Sequence, residues 1–389
     1  MMIDAFVLFL LTSEISISYN EALLVNSTDF SILQLMITNS ISLLGNNDFA
    51  LRFPMIMMHL ISVLLLYKIS KNYLSRKSDR IWLIMFYILL PGVISSALVV
   101  NSAGLVIVTL LLLIYLHDKV TDLVLLFMSL PLLFVDISFV SLYLGLGLYY
   151  LHKKQKSYFF ISLLTFFYAV YYYRPEMYGV PKGHFLDTIG IYATIFTPII
   201  FIFIFYTLYR RFLTDKKDLI FYLSSVALII SLLLSFRQRI SVEHFAPYLI
   251  VSLPLAAQTF SNSYRVRLKM FRKRYKAIFI FSIVLLLLNS FVVLFNKELY
   301  MIIDNPKKHF AYKSHIAKEL SQALKKKNIH CVQTDKEMKL RLQFYGINSC
   351  SENILHDNSV HLIKMGNTVT VSYNGIEVYT GYVTKINNK

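Results

Sequence analysis

The 389-residue chain has few charged residues and lacks the common motifs of soluble enzymes. Only 16% of its residues are charged, against roughly 25% in soluble domains, and 56% are hydrophobic. The Walker loop, the dinucleotide motif GxGxxG, the nucleophile motif GxSxG, the metalloprotease motif HExxH and the redox motif CxxC are all absent. These absences exclude ATP-driven transport and most cytosolic chemistry. The repeated long apolar runs predict a mainly α, polytopic helical membrane protein.

Positive charge is concentrated in a few places along the chain. Lys and Arg cluster in every second gap between apolar segments, at residues 68–80, 153–156, 210–217 and 265–276. Short basic loops stay in the cytoplasm, because moving them across a polarised membrane is disfavoured. The other gaps are therefore expected to face outward. The net charge of +17 also suggests nucleic acid, but its position beside apolar segments favours membrane topology and contacts to anionic lipid headgroups.

Apolar periodicity predicts about eleven transmembrane helices. Pro91 and Gly92 predict a kink in the third helix, and the outer loop 18–47 is predicted to hold two amphipathic interfacial helices. Further outer loops are predicted at 174–188 and 237–244. With the N-terminus inside, eleven crossings put the basic clusters inside and the C-terminus outside. The predicted helices are 3–17, 48–69, 81–100, 104–116, 123–134, 138–151, 158–173, 189–209, 219–236, 245–260 and 277–295.

The composition becomes polar near residue 304. We therefore predict a transmembrane domain at 1–303 and a small C-terminal α/β extracytoplasmic domain at 304–389. Asn374-Gly375, between two alternating segments, is a strong hairpin signal. The predicted elements of the C-terminal domain are helices at 314–327 and 336–345 and strands at 328–334, 360–365, 368–373 and 377–386.

The chain has only two cysteines, Cys331 and Cys350, and both lie in the predicted extracytoplasmic domain. An oxidising outer compartment permits a disulfide, and the predicted strands place the two residues so that pairing is feasible. Two buried free thiols are the alternative. Neither cysteine has the basic surroundings that activate a catalytic thiolate.

Three stretches of sequence carry a family resemblance. They are Ser-Tyr-Asn-Glu-Ala at 18–22, Leu-Leu-Gly-Asn-Asn-Asp-Phe-Ala-Leu-Arg-Phe-Pro at 43–54, and segment 333–346, which opens with Gln-Thr-Asp and ends with Leu-Gln-Phe-Tyr-Gly. Together they resemble the GT-C membrane glycosyltransferases, in the branch of the protein O-mannosyltransferases and the lipid A aminoarabinose transferase. That branch opens its first outer loop with a D-E-A-x-Y type segment and its next long helix with G-x-s-x-F-A-L-R-x-P. The stretch 43–54 is the most specific match, and the resemblance covers nearly the whole topology.

The resemblance implies a GT-C-like fold in the cell (inner) membrane and glycosyltransferase activity. Such an enzyme takes a sugar from a polyprenyl-phosphate donor and places it on an acceptor at the outer face, with inversion and no covalent intermediate. The implied partners are this lipid-linked sugar, a glycan, lipid or protein acceptor, and membrane lipids, without nucleic acid. The resemblance demands no cofactor and assigns no metal ligands, although a divalent cation is compatible with it.

The transfer reaction needs a carboxylate that acts as general base on the acceptor hydroxyl. The family's leading acidic position falls on Asn20, which cannot act as a base. Glu21 matches the second acidic position and is the best candidate, and Glu14 and Asp29 lie nearby as substitutes. The next outer turn, which often carries an acidic residue in the family, reads Asn-Ser-Ala at 101–103.

Cationic and hydroxyl side chains must hold the leaving lipid phosphate as its charge develops. The candidates share a predicted position near the outer interface. The alternative for each candidate is a structural role. Its polar end then extends to the lipid headgroups at the membrane interface, or forms a salt bridge that holds loops together. The candidates are Arg52, Arg174, Lys182, Arg237, Arg239, His244 and Tyr248.

Two other functions fit parts of the sequence. A transporter or flippase of lipid-linked sugars would show internal repeats and polar residues at the bilayer midplane. The polar residues gather instead at one face, which favours the enzyme. A catalytically inactive relative acting as a scaffold is the second alternative, because Asn20 and Ala103 depart from the family pattern. The inactive scaffold is discriminated from the enzyme by whether Glu21 points into a cavity or away from it.

Overall fold

The computed structural model describes residues 2–27, 31–174, 183–214, 217–303, 305–357 and 367–385. Within these residues the chain is mainly helical and contains one small antiparallel sheet. It forms two compact units. Unit 1 contains residues 57–97 and 101–290, and unit 2 contains residues 2–56, 98–100 and 291–389.

The helices lie close to the positions that the apolar pattern predicts, including two short helices in the predicted interfacial segment. Helices and strands are numbered separately along the chain. In order they are α1 (Met2–Thr12), α2 (Tyr19–Asn26), α3 (Ile32–Leu44), α4 (Asp48–Tyr73), α5 (Lys77–Leu89), α6 (Pro91–Leu98), α7 (Ser102–His117), α8 (Asp122–Ser129), α9 (Val140–His152), α10 (Lys156–Tyr173), α11 (Phe185–Phe196), α12 (Pro198–Phe212), α13 (Leu219–Ser235), α14 (Ala246–Ile250), α15 (Leu253–Val266), α16 (Lys269–Leu294), α17 (Lys313–Lys326), α18 (Lys336–Phe344), β1 (Asn353–Asp357), β2 (Asn367–Tyr373) and β3 (Ile376–Lys385).

The core of unit 1 includes the close packing of α9 against α10 and α13. Helix α9 alternates large apolar residues with Gly145 and Gly147. A Cβ atom on Gly145 would lie 2.8 Å from the Leu223 side chain of α13, so a larger residue here would have to displace that side chain. Leu142, Leu146 and Leu223 are buried beside it. Small residues at helix contacts are typical of membrane proteins, where close backbone approach replaces the hydrophobic driving force.

The predicted kink in the third predicted helix is confirmed. Helices α5 and α6 meet at Pro91 and are bent by 59°. Proline lacks the N–H group that would continue the helix, and the hydroxyl of Ser290 donates a hydrogen bond to the carbonyl of Leu89, just before the bend. Gly92 lets Ile195 of α11 approach, since a Cβ atom there would lie 2.4 Å from its side chain.

Two helices that the sequence predicts as continuous are broken. The predicted helix 189–209 is α11 and α12, bent by 105° at Thr197, whose φ is +65°. The predicted helix 245–260 is α14 and α15, interrupted just before Pro254. Pro198 disfavours the helical conformation of the preceding Thr197, whereas Pro254 lacks the N–H group that would bond to the carbonyl of Ile250.

Among the described residues, two helices, α4 and α16, are long and apolar enough to cross a bilayer alone. There are up to four such spans if the bent pairs α5–α6 and α11–α12 each count as one. Shorter apolar helices, among them α7 and α13, accompany them. The eleven crossings therefore stay a prediction.

The C-terminal residues of unit 2 form α17, α18 and a sheet with the order β1-β3-β2. The predicted helices 314–327 and 336–345 correspond to α17 and α18. Strands β2 and β3 form the predicted hairpin, and Asn374 and Gly375 at its turn have φ of +49° and +83°. Positive φ at both central positions is the signature of the hairpin turn that Asn-Gly favours.

Two predicted strands in this region are not observed as strands among the described residues. The predicted strand 328–334 is wrong, because its backbone pairs only at Cys331 and Gln333, as isolated bridges to Asn348 and Ile354. Single bridges do not make a ladder. The predicted strand 360–365 lies outside the described residues.

Cys331 and Cys350 form a disulfide, with Cα atoms 5.5 Å apart. The structure thus decides between the two alternatives that the sequence leaves open. The predicted domain boundary after residue 303 stays a prediction. Residues 2–56 share a compact unit with residues 291–389.

Candidate active site

Charged side chains are buried in unit 2 around the linker between α1 and α2, residues 13–18. Arg52, Glu21, Arg341 and Asp48 are exposed by only 0%, 1%, 2% and 6%. A buried charge is costly unless a partner of opposite charge and hydrogen bonds compensate it. The contacts of each side chain therefore indicate whether it stabilises the fold or is available to a substrate.

Glu21 is held from three sides. The sequence Ser18-Tyr-Asn-Glu21 is a capping box, in which Ser18 begins α2 and the Glu21 carboxylate accepts a hydrogen bond from the Ser18 N–H at 2.7 Å. Its other oxygen accepts a hydrogen bond from the Val100 N–H at 2.9 Å. Arg52 Nη2 lies 3.4 Å from the carboxylate. Both oxygens are thus engaged inside unit 2.

Arg52 fastens the linker to α4. Its Nη1 donates to the carbonyls of Thr12 and Ile15 at 3.1 and 2.8 Å, and its Nη2 donates to the Ser16 carbonyl at 3.1 Å and to Glu21. A guanidinium has five N–H groups. Within the described residues only the Nε–H lacks a partner. Arg52 therefore offers almost no donor to a lipid phosphate.

A second set of contacts closes the same linker. The Tyr345 hydroxyl donates to Asp48 at 2.5 Å and accepts the Ile17 N–H at 2.8 Å, and Lys318 Nζ lies 2.9 Å from the other Asp48 oxygen. Arg341 Nε donates to the Ile17 carbonyl at 2.9 Å. Burial and the Asp48 carboxylate raise the pKa of Tyr345 well above its usual range, so this hydroxyl stays a donor.

The structure separates the candidate bases by accessibility. Asn20, at the family's leading acidic position, is exposed, whereas the adjacent Glu21 is buried. Glu14 is 57% exposed and its carboxylate lies 2.7 Å from Lys297 Nζ. Asp29 lies outside the described residues. Of the candidate bases that the structure describes, Glu14 is therefore the accessible one.

The predicted phosphate-binding residues fall into two groups. Arg174, Arg237 and Arg239 are exposed, and Arg174 lies over the Tyr171 ring at 5.4 Å. Lys182 is not among the described residues. Tyr248 is fully buried and its hydroxyl donates to the Ser138 carbonyl at 2.7 Å, so its hydroxyl serves the fold.

His244 belongs to a cluster with Asp136 and Ser138 in unit 1. Its Nδ1 lies 2.9 Å from the Ser138 hydroxyl and 3.5 Å from Asp136, and Ser138 also hydrogen-bonds to Asp136. In a nucleophilic Ser-His-Asp triad the two ring nitrogens contact serine and aspartate separately. Here one nitrogen faces both groups, so the cluster caps the turn before α9 and is not a triad.

Several residues of the site are not predicted by the sequence. Asp48 and Tyr345 lie inside the stretches that carry the family resemblance, and this position is a signal that could have indicated them. Arg341 lies in the same stretch as Tyr345. Lys318 had no such signal, because it reaches the linker from about 300 residues further along the chain, a distance that no local pattern shows. In the part of the chain that the structure describes, no group of three or more His, Cys, Asp or Glu side chains converges to hold a metal ion.

The fold of this chain is similar to that of two solved structures. ArnT from Cupriavidus metallidurans bound to undecaprenyl phosphate matches with a TM-score of 0.62 and 11% identity over 100% of this chain and 97% of that chain. ArnT from the same organism in the apo state matches with a TM-score of 0.55 and 10% identity over 97% and 95%. No protein-family model and no curated protein sequence matches the chain. The resemblance found in the sequence is confirmed at the level of the fold.

Proposed function

We propose that this chain is a glycosyltransferase of the cell membrane that moves a sugar from a polyprenyl-phosphate donor to an acceptor at the outer face, with inversion. The observation that carries the proposal is the fold match to ArnT bound to undecaprenyl phosphate over the whole chain. The alternation of basic inner loops supports the same topology. A glycan, a lipid and a protein are all acceptors that this chemistry accommodates.

The donor phosphate is assigned to exposed cations of the outer loops. Arg174, Arg237 and Arg239 keep free guanidinium surface, and Lys182 belongs to the same predicted loop as Arg174. Bidentate N–H donors fit phosphate oxygens and gain strength as charge develops on the leaving group. Arg52 is assigned a structural role, because its donors serve the α1–α2 linker.

The general base is assigned to Glu14, an exposed carboxylate at the end of the first predicted helix, or to Asp29 of the first predicted outer loop. Glu21 is assigned a positioning role, because both of its oxygens are engaged and a base must reach the acceptor hydroxyl. Through Ser18, Val100 and Arg52, its carboxylate fixes the start of α2. Deprotonation of the acceptor then assists a single displacement at the anomeric carbon.

Transfer of a radiolabelled sugar from a polyprenyl-phosphate pool to membrane acceptors tests this assignment. We expect one of Glu14→Gln and Asp29→Asn to lower transfer by about 100-fold or more, with unfolding unchanged. Glu21→Gln is expected to lower transfer together with the unfolding temperature, because it breaks a buried ion pair. The two readouts separate a chemical role from a structural one.

The matched control is Glu243→Gln, which removes an exposed carboxylate from a different outer loop. It is expected to keep both transfer and stability. If Glu21→Gln abolishes transfer while the protein keeps its unfolding temperature, the base is Glu21 and the positioning role is wrong. If wild type transfers no sugar from any of several donors, the enzyme proposal fails.

The exposed Asn20 beside the buried Glu21 favours one other function, that of a catalytically inactive relative that binds the lipid-linked sugar. In such a relative, the exposed position 20 carries an asparagine, which cannot act as a base. The buried Glu21 keeps only its structural contacts. The same assay distinguishes the two. An inactive protein binds polyprenyl phosphate without transfer, and its Asn20→Asp variant gains transfer.

A further inference from the structure

Unit 1 contains a cavity of about 710 Å³ between α5, α12, α15 and α16. This volume lies within the range of roughly 300–1,000 Å³ that is typical of small-molecule sites. Most of the wall is apolar and aromatic, with Trp82, Phe203, Phe260 and Phe279 among its residues. None of these residues takes part in the candidate active site.

One side of the cavity is strongly cationic. Arg76, Arg265, Arg272 and Lys276 line it, against a single carboxylate, Asp79. Asp79 is occupied by Arg265 and by the Ser261 hydroxyl at 2.8 Å. Three positive charges therefore remain at the rim. Arg76 and Lys276 have no ion-pair partner among the described residues.

The rim joins two basic clusters that are far apart in sequence, 68–80 and 265–276. The Asp79–Arg265 ion pair connects them. Arg272 donates to the carbonyls of Arg267 and Arg265 at 2.8 and 3.0 Å, which fixes its guanidinium at the rim. The charge rule predicts both clusters on the inner side of the membrane. The cavity therefore combines an apolar chamber with a positive rim at the predicted inner headgroup level.

Helix α16, which forms one wall of the apolar chamber, is mostly exposed along its apolar stretch. Only 17% of the 18-residue apolar stretch of α16 is buried inside the protein. Ile278, which lines the chamber, is 55% exposed. An acyl chain can therefore enter from the bilayer side while its headgroup stays at the cations.

We propose that this cavity binds one anionic glycerophospholipid of the inner leaflet, with an acyl chain among the aromatic residues and the headgroup phosphate between Arg272, Lys276 and Arg76. Basic pockets between transmembrane helices on the inner side select anionic headgroups, and charge-assisted hydrogen bonds to phosphate are the strong ones. The site lies at the face opposite to the one predicted for sugar transfer. It is therefore a lipid site separate from the donor site and does not depend on the proposed function.

Trp82 is the only tryptophan of the chain and lines the cavity, so its fluorescence reports on the occupant. The full-length protein in neutral detergent micelles is titrated with phosphatidylglycerol whose acyl chains carry bromine, a contact quencher. Phosphatidylcholine with the same brominated chains is the neutral comparison. We expect phosphatidylglycerol to reach half-quenching at a concentration at least fivefold lower, since each cation near the headgroup contributes about 1 kcal/mol.

Lys276→Gln and Arg272→Gln/Lys276→Gln test the rim, and Lys276→Gln alone keeps the Arg272 hydrogen bonds intact. Each lost cation is expected to lower the preference for phosphatidylglycerol about fivefold. Lys269→Gln/Lys273→Gln is the matched control, because it removes two exposed charges from the same helix outside the cavity wall. It is expected to keep the preference.

Three results would overturn the proposal. Equal half-quenching by the two lipids in wild type rules out selection of the anionic headgroup. If the rim variants and the control variant lose the preference for phosphatidylglycerol equally, the lipid is attracted by the general surface charge and not by a site. Displacement of brominated phosphatidylglycerol by undecaprenyl phosphate at lower concentrations than by unlabelled phosphatidylglycerol makes the carrier lipid the occupant instead.

Discussion

Replacing Arg52 by Gln is expected to destabilise the α1–α2 linker of unit 2 by about 3–5 kcal/mol. The guanidinium satisfies three backbone carbonyls of the linker and contacts two carboxylates, Glu21 and Asp48, while fully buried. The glutamine amide carries no charge and fewer donors. Both carboxylates then remain buried without their common cation, which is the costly part of breaking such a pair.

Hydrogen exchange followed by mass spectrometry measures this loss where it occurs. The amides of Ser16 and Ile17 are hydrogen-bonded to the Ser314 carbonyl and the Tyr345 hydroxyl, so they are expected to exchange slowly in wild type. In Arg52→Gln the peptide that covers residues 13–22 is expected to exchange about 100-fold faster or more, as 3 kcal/mol implies. Lys326→Gln, which removes an exposed cation of unit 2, is the control and is expected to leave this exchange unchanged.

A double variant tests whether Glu21 and Arg52 act as one pair. Glu21→Gln added to Arg52→Gln is expected to restore part of the lost protection, because it removes a charge that has become unpaired. Additive losses would instead mean that Arg52 acts through the carbonyls alone. Unchanged exchange in both single variants would contradict the structural role of the pair.

Local signals in the sequence account for much of the fold. Pro91 marks a real kink, and Asn374-Gly375 marks a real hairpin, because each restricts the backbone regardless of context. The breaks before Pro198 and Pro254 carried the same kind of signal, but long apolar runs around them suggested continuous helices. The segment around Cys331 was harder, since its pairing depends on Asn348 and Ile354, which lie on other segments.

The candidate site was less predictable, for a physical reason. Asn20 and Glu21 are neighbours on a short helix, and successive helical residues point about 100° apart, so one is exposed and the other buried. A motif match fixes the residue type but not this orientation. The capping box at Ser18 and Glu21 was the one local feature that indicates an inward role for Glu21.

The disulfide is expected to stabilise the C-terminal part of unit 2 by about 3 kcal/mol, and the Cys331→Ser/Cys350→Ser variant to lose this amount. The bond links residues 19 positions apart, in two segments whose backbones otherwise meet at a single bridge next to it. Cross-linking lowers the entropy of the unfolded chain, and here little secondary structure substitutes for it. Thermal unfolding with and without dithiothreitol measures the effect, and the double variant, which has no bond to reduce, should not respond to the reductant.

The same bond reports on the side of the membrane. A disulfide persists in an oxidising outer compartment, whereas the cytoplasm keeps thiols reduced. In intact cells, Cys331 and Cys350 are therefore expected to resist alkylation until a reductant is added, because the predicted topology places them outside. Alkylation of both thiols without reductant, in wild type that folds normally, would place this segment in the cytoplasm. The donor-binding and base assignments, which all depend on outer loops, would then fail with it.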